Sequence, residues 1–197
     1  MTIHASADVA ASAVIPDSAK IWHYAQVRDD ARLGENCIIG RGAYIGTGVV
    51  MGDNCKVQNY ALVYEPARLG AGVFIGPAAV LTNDQFPRAV APDGSLKSAD
   101  DWHAVGVEIG DGASIGANAT CIAPVVIGRW ALVGSGSVVV KNVPDYALVV
   151  GNPAKRIGWV GDAAAPLVAD GDRWRCPQTS RTYREAAPDQ LVPEEDA

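Results

Sequence analysis

Residues 33–81 read LGENCIIGRGAYIGTGVVMGDNCKVQNYALVYEPARLGAGVFIGPAAVL, and a six-residue period runs through them. Every sixth residue is aliphatic or Met, and the series begins upstream of this stretch: Val9, Ile15, Ile21, Val27, Leu33, Ile39, Ile45, Met51, Val57, Val63, Leu69, Ile75 and Leu81. A helix repeats its apolar face every 3.6 residues and a strand every two, so a period of six fits neither. It predicts a coil of short strands joined by tight turns, which is a hexapeptide β-helix.

The large residue of each repeat, here called a rung, is expected to fill the interior, and a small residue follows it four positions later. Three hexapeptides per turn would stack residues eighteen apart, such as Val9 on Val27. Glycines directly after the rungs, such as Gly34 and Gly40, would allow a positive φ or a close approach of two backbones. The period alone leaves the number of faces and the handedness open.

The period breaks at residues 82–108 and resumes in a different phase at Ile109, Ile115, Cys121, Ile127, Val133 and Val139. Loops beyond about 12–15 residues inside a compact domain are usually functional or disordered. We therefore predict a solenoid domain over residues 1–160 with 82–108 as an inserted loop, followed by a C-terminal tail over 161–197. The loop is the first place to look for function.

The composition and charge of the chain argue against several classes of protein. Hydrophobic residues make up 49% of the chain, aromatic residues only 7%, and the formal net charge is −6, which argues against a nucleic-acid or anionic-membrane surface. No run of eighteen apolar residues and no basic leader is present, so we expect a cytoplasmic protein. Cys37, Cys55 and Cys121 occupy interior positions of the repeat and indicate small hydrophobes, and no metal site is predicted.

The chain resembles the left-handed β-helix, hexapeptide-repeat acyltransferases, through its nineteen repeats and the exit VGSGSVVVKNVPDYALVVGNPAKRIGWV at 133–160. More narrowly it resembles N-acetyltransferases of nucleotide-linked 3-amino sugars, of the UDP-2-acetamido-3-amino-2,3-dideoxy-glucuronate type. That resemblance rests on four stretches: GDNCKVQNYALVYE (52–65), GVFIGPAAVLTNDQFPRA (72–89), GASIGANATCIAPVVIG (112–128) and WRCPQTSRTY (174–183). It implies an all-β left-handed parallel β-helix acyltransferase domain with a short hairpin-like tail, acetyl-CoA as the acyl donor, and a homotrimer with active sites between subunits.

Acetyl transfer to an amine requires aligned substrates, an unprotonated amine and stabilisation of the oxyanion. Asn83 matches the Asn of a Thr-Asn signature in the family and is the first catalytic candidate. Its amide can orient an amine but cannot act as a base. Asp84 is the candidate carboxylate beside it, and His103 is the candidate base in the loop. Each has a plain alternative as a turn or solvated loop residue.

The resemblance also implies which residues contact each of the two substrates. The predicted contacts to the nucleotide sugar are Lys56, Asn59, Tyr64, Glu65 and Arg88, where Arg88 would pair with a phosphate or carboxylate. The predicted contacts to coenzyme A are Ala117, Ala123, Gly134, Ser135, Lys141, Lys155 and Arg156, of which the three cations suit the adenosine phosphates.

The sequence leaves other functions open. A dTDP-linked amino sugar or a sugar hydroxyl would serve as acceptor on the same solenoid, and a non-catalytic structural solenoid is a more distant alternative. A γ-type carbonic anhydrase would need three zinc-binding histidines. His4, His23 and His103 do not have a spacing that places all three on adjacent coils, so we reject that class.

Overall fold

The computed structural model describes residues 2–194, which form a three-sided solenoid of parallel strands, closed by one antiparallel strand and followed by a tail sheet. Sheet 1 contains β1 (Thr2–Ile3), β3 (Lys20–Ile21), β6 (Ile38–Ile39), β9 (Lys56–Val57), β12 (Phe74–Ile75), β15 (Ser114–Ile115), β18 (Leu132–Val133), β20 (Ala147–Gly151) and β21 (Ala154–Trp159), in that order. Sheet 2 contains β2 (Asp8–Val9), β4 (Gln26–Val27), β7 (Tyr44–Ile45), β10 (Leu62–Val63), β13 (Val80–Leu81), β16 (Thr120–Cys121) and β19 (Val138–Val139). Sheet 3 contains β5 (Arg32–Leu33), β8 (Val50–Met51), β11 (Arg68–Leu69), β14 (Val107–Ile109) and β17 (Val125–Ile127). The predicted all-β parallel β-helix is confirmed.

The strands stack in the register that the period predicts. Val9 pairs with Val27, Val27 with Ile45, Ile45 with Val63 and Val63 with Leu81, each step being eighteen residues. The rung is the second residue of each two-residue strand, and its side chain is buried while the first residue faces outward. Each fully buried aliphatic side chain contributes about 1.5–3 kcal/mol, so the rungs are the main source of stability.

The turns correct one detail of the prediction. Gly34, directly after a rung, does not have a positive φ, but it does lie against the next coil: a Cβ there would be 2.5 Å from the carbonyl carbon of Gly52. Positive φ occurs instead three residues after the rung, at Tyr24, Asp30, Asn36, Gly42, Gly48, Asn54, Tyr60, Gly72, Ala78, Gly112, Asn118, Trp130 and Gly136. Each corner therefore requires a close approach to the next coil directly after the rung and a left-handed backbone conformation three residues after the rung.

The buried cysteines behave as the repeat predicts. Cys37, Cys55 and Cys121 are fully buried free thiols on the inner surface. Burial raises the pKa of the Cys121 thiol to about 12, so this sulfur stays protonated and packs as a small apolar group.

The insertion leaves sheet 2 after Leu81 and enters sheet 3 at Val107, two residues earlier than predicted. Above it the stacking continues: Leu69 pairs with Ile109 and Leu81 with Cys121, both across forty residues instead of eighteen. The loop has structure of its own, with a bridge between Val90 and Leu96 and a 3-10 turn at Ala99–Asp101 that Ser98 caps.

The tail is a four-stranded antiparallel sheet, larger than the predicted hairpin: β22 (Val168–Asp170), β23 (Arg173–Arg175), β24 (Thr182–Ala187) and β25 (Gln190–Pro193). Tyr183 is fully buried and packs on Tyr146 of the solenoid with ring centroids 5.5 Å apart. Trp174 is only partly buried, and the large buried anchor is Trp159, whose Nε1–H donates to Glu185 Oε1 at 2.5 Å. Residues 195–197 of the predicted tail lie outside the described range.

The helical content of the described chain is one three-residue 3-10 turn, and no helix within residues 2–194 has the length and apolar character needed to cross a membrane.

Candidate functional site

The chain passes from sheet 1 to sheet 2 to sheet 3, so two edges flank sheet 2. We call them edge 1–2 and edge 2–3. Because Val63 stacks on Leu81, the residues that come after these rungs also stack, and edge 2–3 carries Tyr64 and Glu65 one coil before Thr82 and Asn83. Three residues predicted to belong to the site therefore lie on adjacent coils of the same edge: Tyr64, Glu65 and Asn83.

Thr82 fixes this edge to the following coil. Its Oγ1 accepts the backbone N–H of Ala123 at 3.0 Å, and its own N–H donates to the carbonyl of Cys121 at 3.0 Å. Ala123, predicted to contact coenzyme A, thus lies at the same edge one coil above Asn83. The role of Thr82 was not predicted, because its partner is 41 residues away and only the offset of forty reveals the pairing.

The carboxylate of Glu65 occupies an unusual position on this edge. Its Oε2 is buried and has no hydrogen-bond partner among the described residues. The rings of Tyr44 and Tyr64 lie nearby with centroids 5.2 Å apart. Burial, and then the charge of Glu65, raise the pKa of the Tyr44 phenol, so Tyr44 is a neutral neighbour of the carboxylate.

Asp84 begins the insertion and lines a cleft of about 270 Å³ whose other lining residues are Gln85, Phe86, Lys97, Asp101, Trp102, His103 and Val105. Oδ1 of Asp84 accepts the backbone N–H of Phe86 at 2.8 Å, which makes a local turn. His103 is exposed at this cleft. The insertion thus brings together Asp84 and His103, two of the three predicted catalytic residues, directly after Asn83.

Arg88 lies further along the insertion and lines a second cleft of about 460 Å³ with Asp84, Lys97 and Trp102. Its side chain is exposed, and Nη1 donates to the carbonyl of Pro87 at 3.0 Å. The guanidinium is therefore accessible to an anionic ligand.

Edge 1–2 carries a second group of predicted residues. Asn59, Ala117 and Ser135 each follow a stacked rung of sheet 1 by two residues, and Gly134 precedes Ser135. Asn59 also has a structural task, since its Oδ1 accepts the backbone N–H of Arg41 at 2.9 Å. Within one chain, this group and the group around Asn83 lie on opposite edges of sheet 2 and are not brought together.

The predicted cations fall in three places. Lys56 points outward from sheet 1, and Lys141 is exposed on edge 2–3, two coils above Asn83. Lys155 is exposed on β21. Arg156 lies over the ring of Trp159 at 4.1 Å and pairs with Asp189 of the tail at 2.7 Å, so the tail already engages its guanidinium.

Two of the three histidines contact each other. His4 and His23 lie on adjacent coils and stack with ring centroids 3.4 Å apart, and His4 Nδ1 lies 3.0 Å from Ser6 Oγ. His103 is remote from them on the insertion. Within residues 2–194, no three His, Cys, Asp or Glu side chains are grouped as metal ligands would be.

Comparison with known proteins agrees with the repeat. A model of the bacterial transferase hexapeptide (six repeats) matches residues 12–47 and 48–83, and a model of the hexapeptide repeat of succinyl-transferase matches 106–141. The unmatched gap coincides with the insertion.

Two relatives have acetyltransferase names. The chain is 44% identical over 75 residues to dTDP-3-amino-3,6-dideoxy-alpha-D-galactopyranose 3-N-acetyltransferase of Aneurinibacillus thermoaerophilus, covering 38% of each chain. It is 38% identical over 97 residues to serine acetyltransferase 4 of Arabidopsis thaliana, covering 48% of this chain and 26% of that one. The chain therefore spans well under half the length of these relatives.

Among solved structures, a hexapeptide-repeat acetyltransferase of Vibrio cholerae, complexed with acetyl coenzyme A, aligns with a TM-score of 0.54 at 22% identity, covering 66% of this chain and 70% of that one. This likeness concerns the fold. The repeat, the stacking register and the matched models identify the chain as a hexapeptide-repeat solenoid that resembles the hexapeptide transferases in both sequence and fold.

Proposed function

We propose that the protein transfers acetyl from acetyl-CoA to the amino group, at C3, of a nucleotide-linked amino sugar. The observation that carries this proposal is the grouping of Asn83, Tyr64 and Glu65 on edge 2–3 beside a cleft that the insertion walls. The repeat itself does not require the insertion, because the rungs stack in register on both sides of it. The 44% identity to a 3-N-acetyltransferase of a dTDP-linked amino sugar supports the same acceptor class.

Each group has a task in this reaction. The Asn83 amide orients the acceptor amine, and Arg88 holds an anionic group of the sugar nucleotide. The pantetheine arm runs along edge 1–2, where Ala117, Gly134 and Ser135 leave room. Ala117 and Ser135 offer backbone N–H groups to the thioester carbonyl, whereas the N–H of Gly134 donates to the carbonyl of Val149 at 2.8 Å. Lys141 and Lys155 are placed to bind the adenosine phosphates. The reaction takes place in the cytoplasm, in keeping with four free thiols.

Assembly completes the site in this proposal. Of the donor-side residues, Lys141 shares edge 2–3 with Asn83, but Ala117, Gly134 and Ser135 lie on edge 1–2. For these three to meet Asn83, edge 1–2 of one copy must face edge 2–3 of another. A homotrimer of three-sided solenoids does this three times by symmetry.

A hydroxyl acceptor is the second candidate, since the chain is 38% identical over 97 residues to a serine acetyltransferase. A dTDP-linked sugar in place of a UDP-linked one is a further variant of the first candidate.

The test is thiol release from acetyl-CoA with a panel of UDP- and dTDP-linked 3-amino sugars, their 3-hydroxy analogues, and free serine. We expect release with at least one 3-amino sugar nucleotide and mass addition of one acetyl group to the product. Release only with a hydroxyl acceptor would replace the proposal by its alternative, and no release with any acceptor would refute both.

A further inference from the structure

One oxygen of the Glu65 carboxylate, Oε2, is buried and unpartnered within the described part of the chain, while the residue as a whole is partly exposed. Oε2 is shielded from solvent and accepts no hydrogen bond from residues 2–194. Leaving a buried charged acceptor unpaired costs several kcal/mol, so such atoms normally have a partner. Glu65 has none in the described solenoid, although it stands one coil from Asn83 at the edge where the acceptor is proposed to bind.

The surrounding groups do not neutralise this charge. The rings packed near it belong to Tyr44 and Tyr64, which carry no positive charge. Arg28, a cation on the same edge two coils below Tyr64, is engaged elsewhere: Nη1 lies 3.5 Å from Asp8 and Nη2 lies 3.7 Å from Asp29. A partner for Glu65 must therefore bring both a hydrogen-bond donor and a positive charge.

Gly46, on the coil below Glu65, leaves the space that the Glu65 carboxylate occupies. A Cβ on Gly46 would collide with Oε2 of Glu65 and would lie 2.7 Å from the backbone nitrogen of the same residue. The coil below thus accommodates the carboxylate only because residue 46 has no side chain.

We propose that Glu65 binds the acceptor amine in the protonated, ammonium form of that amine and accepts a proton from it. This makes the site selective for an amine over a hydroxyl. This inference rests on the proposed function and adds to it the group that generates the nucleophile. Asp84 and His103 line a cleft of the insertion whose lining does not include Glu65. A neutral hydroxyl offers a hydrogen bond but no charge, so it compensates the buried carboxylate less well.

Protons and electron pairs balance in this step. One proton passes from the ammonium nitrogen to Glu65 Oε2, which leaves a neutral amine with a lone pair. The nitrogen attacks the thioester carbonyl carbon, a C–N bond forms and the C–S bond breaks. The second proton leaves the nitrogen and protonates the departing coenzyme A sulfur, while Glu65 releases its proton to solvent.

The first test replaces Glu65 by the isosteric amide. With the amine acceptor near neutral pH, Glu65→Gln should lower turnover at least tenfold, and the deficit should shrink as pH rises toward the pKa of the acceptor amine, because a free amine needs no base. The ratio of turnover with amine to turnover with the hydroxyl analogue should fall with it. A Glu65→Gln variant with wild-type turnover, or with a loss that does not change with pH, would overturn the proposal.

The second test displaces the carboxylate without changing its chemistry. Gly46→Ala should reproduce the loss at neutral pH. Gly52→Ala is the matched control, since its added Cβ would lie 2.6 Å from the backbone nitrogen of Ala71 and far from Glu65. Equal activity of the two alanine variants would count against Glu65. Wild-type protein that acetylates no amine would refute the proposed function as well, whereas active wild-type with an unaffected Glu65→Gln variant refutes this inference alone.

Discussion

Asn83 is held at the point where the chain leaves the solenoid. Its carbonyl accepts the N–H of Val105 at 3.0 Å, so its backbone is fixed on edge 2–3 and its side chain starts from a rigid base. Asn83→Ala should lower turnover more than about tenfold, a cost above about 1.4 kcal/mol of transition-state stabilisation, with the Kd of acetyl-CoA nearly unchanged. Steady-state kinetics and donor titration measure the two effects. Gln26→Ala, which removes an exposed amide from β4, is the control, and near-wild-type turnover of Asn83→Ala would remove Asn83 from the mechanism.

His103 separates two accounts of proton transfer. It is exposed on the insertion, and if Glu65 accepts the proton, His103→Ala should keep turnover within about threefold of wild type, well below the roughly hundredfold that a lost general base typically costs. The pH profile of kcat should also keep its shape. His23→Ala, on the stacked pair far from the insertion, serves as control. A loss as large as that of Asn83→Ala would make His103 the base.

Arg156 joins the exit strand to the tail sheet. It stacks on Trp159 and pairs with Asp189, whose side chain is largely exposed, so each contact is worth about 0.5–1 kcal/mol. Arg156→Ala should lower Tm by roughly 2–4 °C in a thermal melt, and Asp189→Ala by about half as much. Lys155→Ala should leave Tm unchanged and raise the KM for acetyl-CoA. An Arg156→Ala variant that melts like wild type would show that these two contacts do not hold the tail in solution.

The stability of the folded protein should also decrease at alkaline pH through a tyrosine of the tail sheet. Burial raises the pKa of Tyr183 to about 12 from 10.0, so the folded state resists loss of this proton while the unfolded chain does not. Stability is therefore intact below pH 10 and falls by up to roughly 2–3 kcal/mol as pH rises from 10 to 12. Denaturant melts across that range, with phenolate absorbance as monitor, measure the effect. Tyr183→Phe should lose most of this alkaline fall. An identical fall in that variant would assign it to another tyrosine such as Tyr146.

At the level of elements, the sequence predicted the features that periodicity dictates and missed those that depend on other causes. The rungs from Val9 to Leu81, their eighteen-residue stacking and the second block from Ile109 all derive from one apolar residue in six. The bridge between Val90 and Leu96 was not predicted, because local turn geometry, not burial, specifies it. The pair of Arg156 with Asp189 at 2.7 Å was not predicted, because Asp189 comes 33 residues later and nothing in the local sequence reveals the contact. The meeting of Tyr64, Glu65 and Asn83 was within reach, since it needs only the eighteen-residue register.

For the whole molecule, the proposed division of the site between two edges predicts that activity requires assembly. We expect a sedimentation mass three times the 20.5 kDa of one chain. Mixing Asn83→Ala protein with protein altered on edge 1–2, such as Ser135→Trp, should restore part of the activity, because some interfaces in mixed trimers then join two intact edges. A single-chain mass with full activity would contradict both the trimer and the shared site.

The insertion has a consequence for how such a protein changes over time. It departs and returns at points that one hydrogen bond spans, from Val105 to Asn83, and the rungs on either side stay aligned across forty residues. Its length is thus uncoupled from the spacing of the coils, and the entropic cost of a closed loop grows slowly, by about 0.6 kcal/mol for each doubling. On the proposed function, the insertion that walls the acceptor cleft is therefore free to change in length and sequence for a new sugar, while the proposed donor-binding residues Ala117 and Ser135 stay the same.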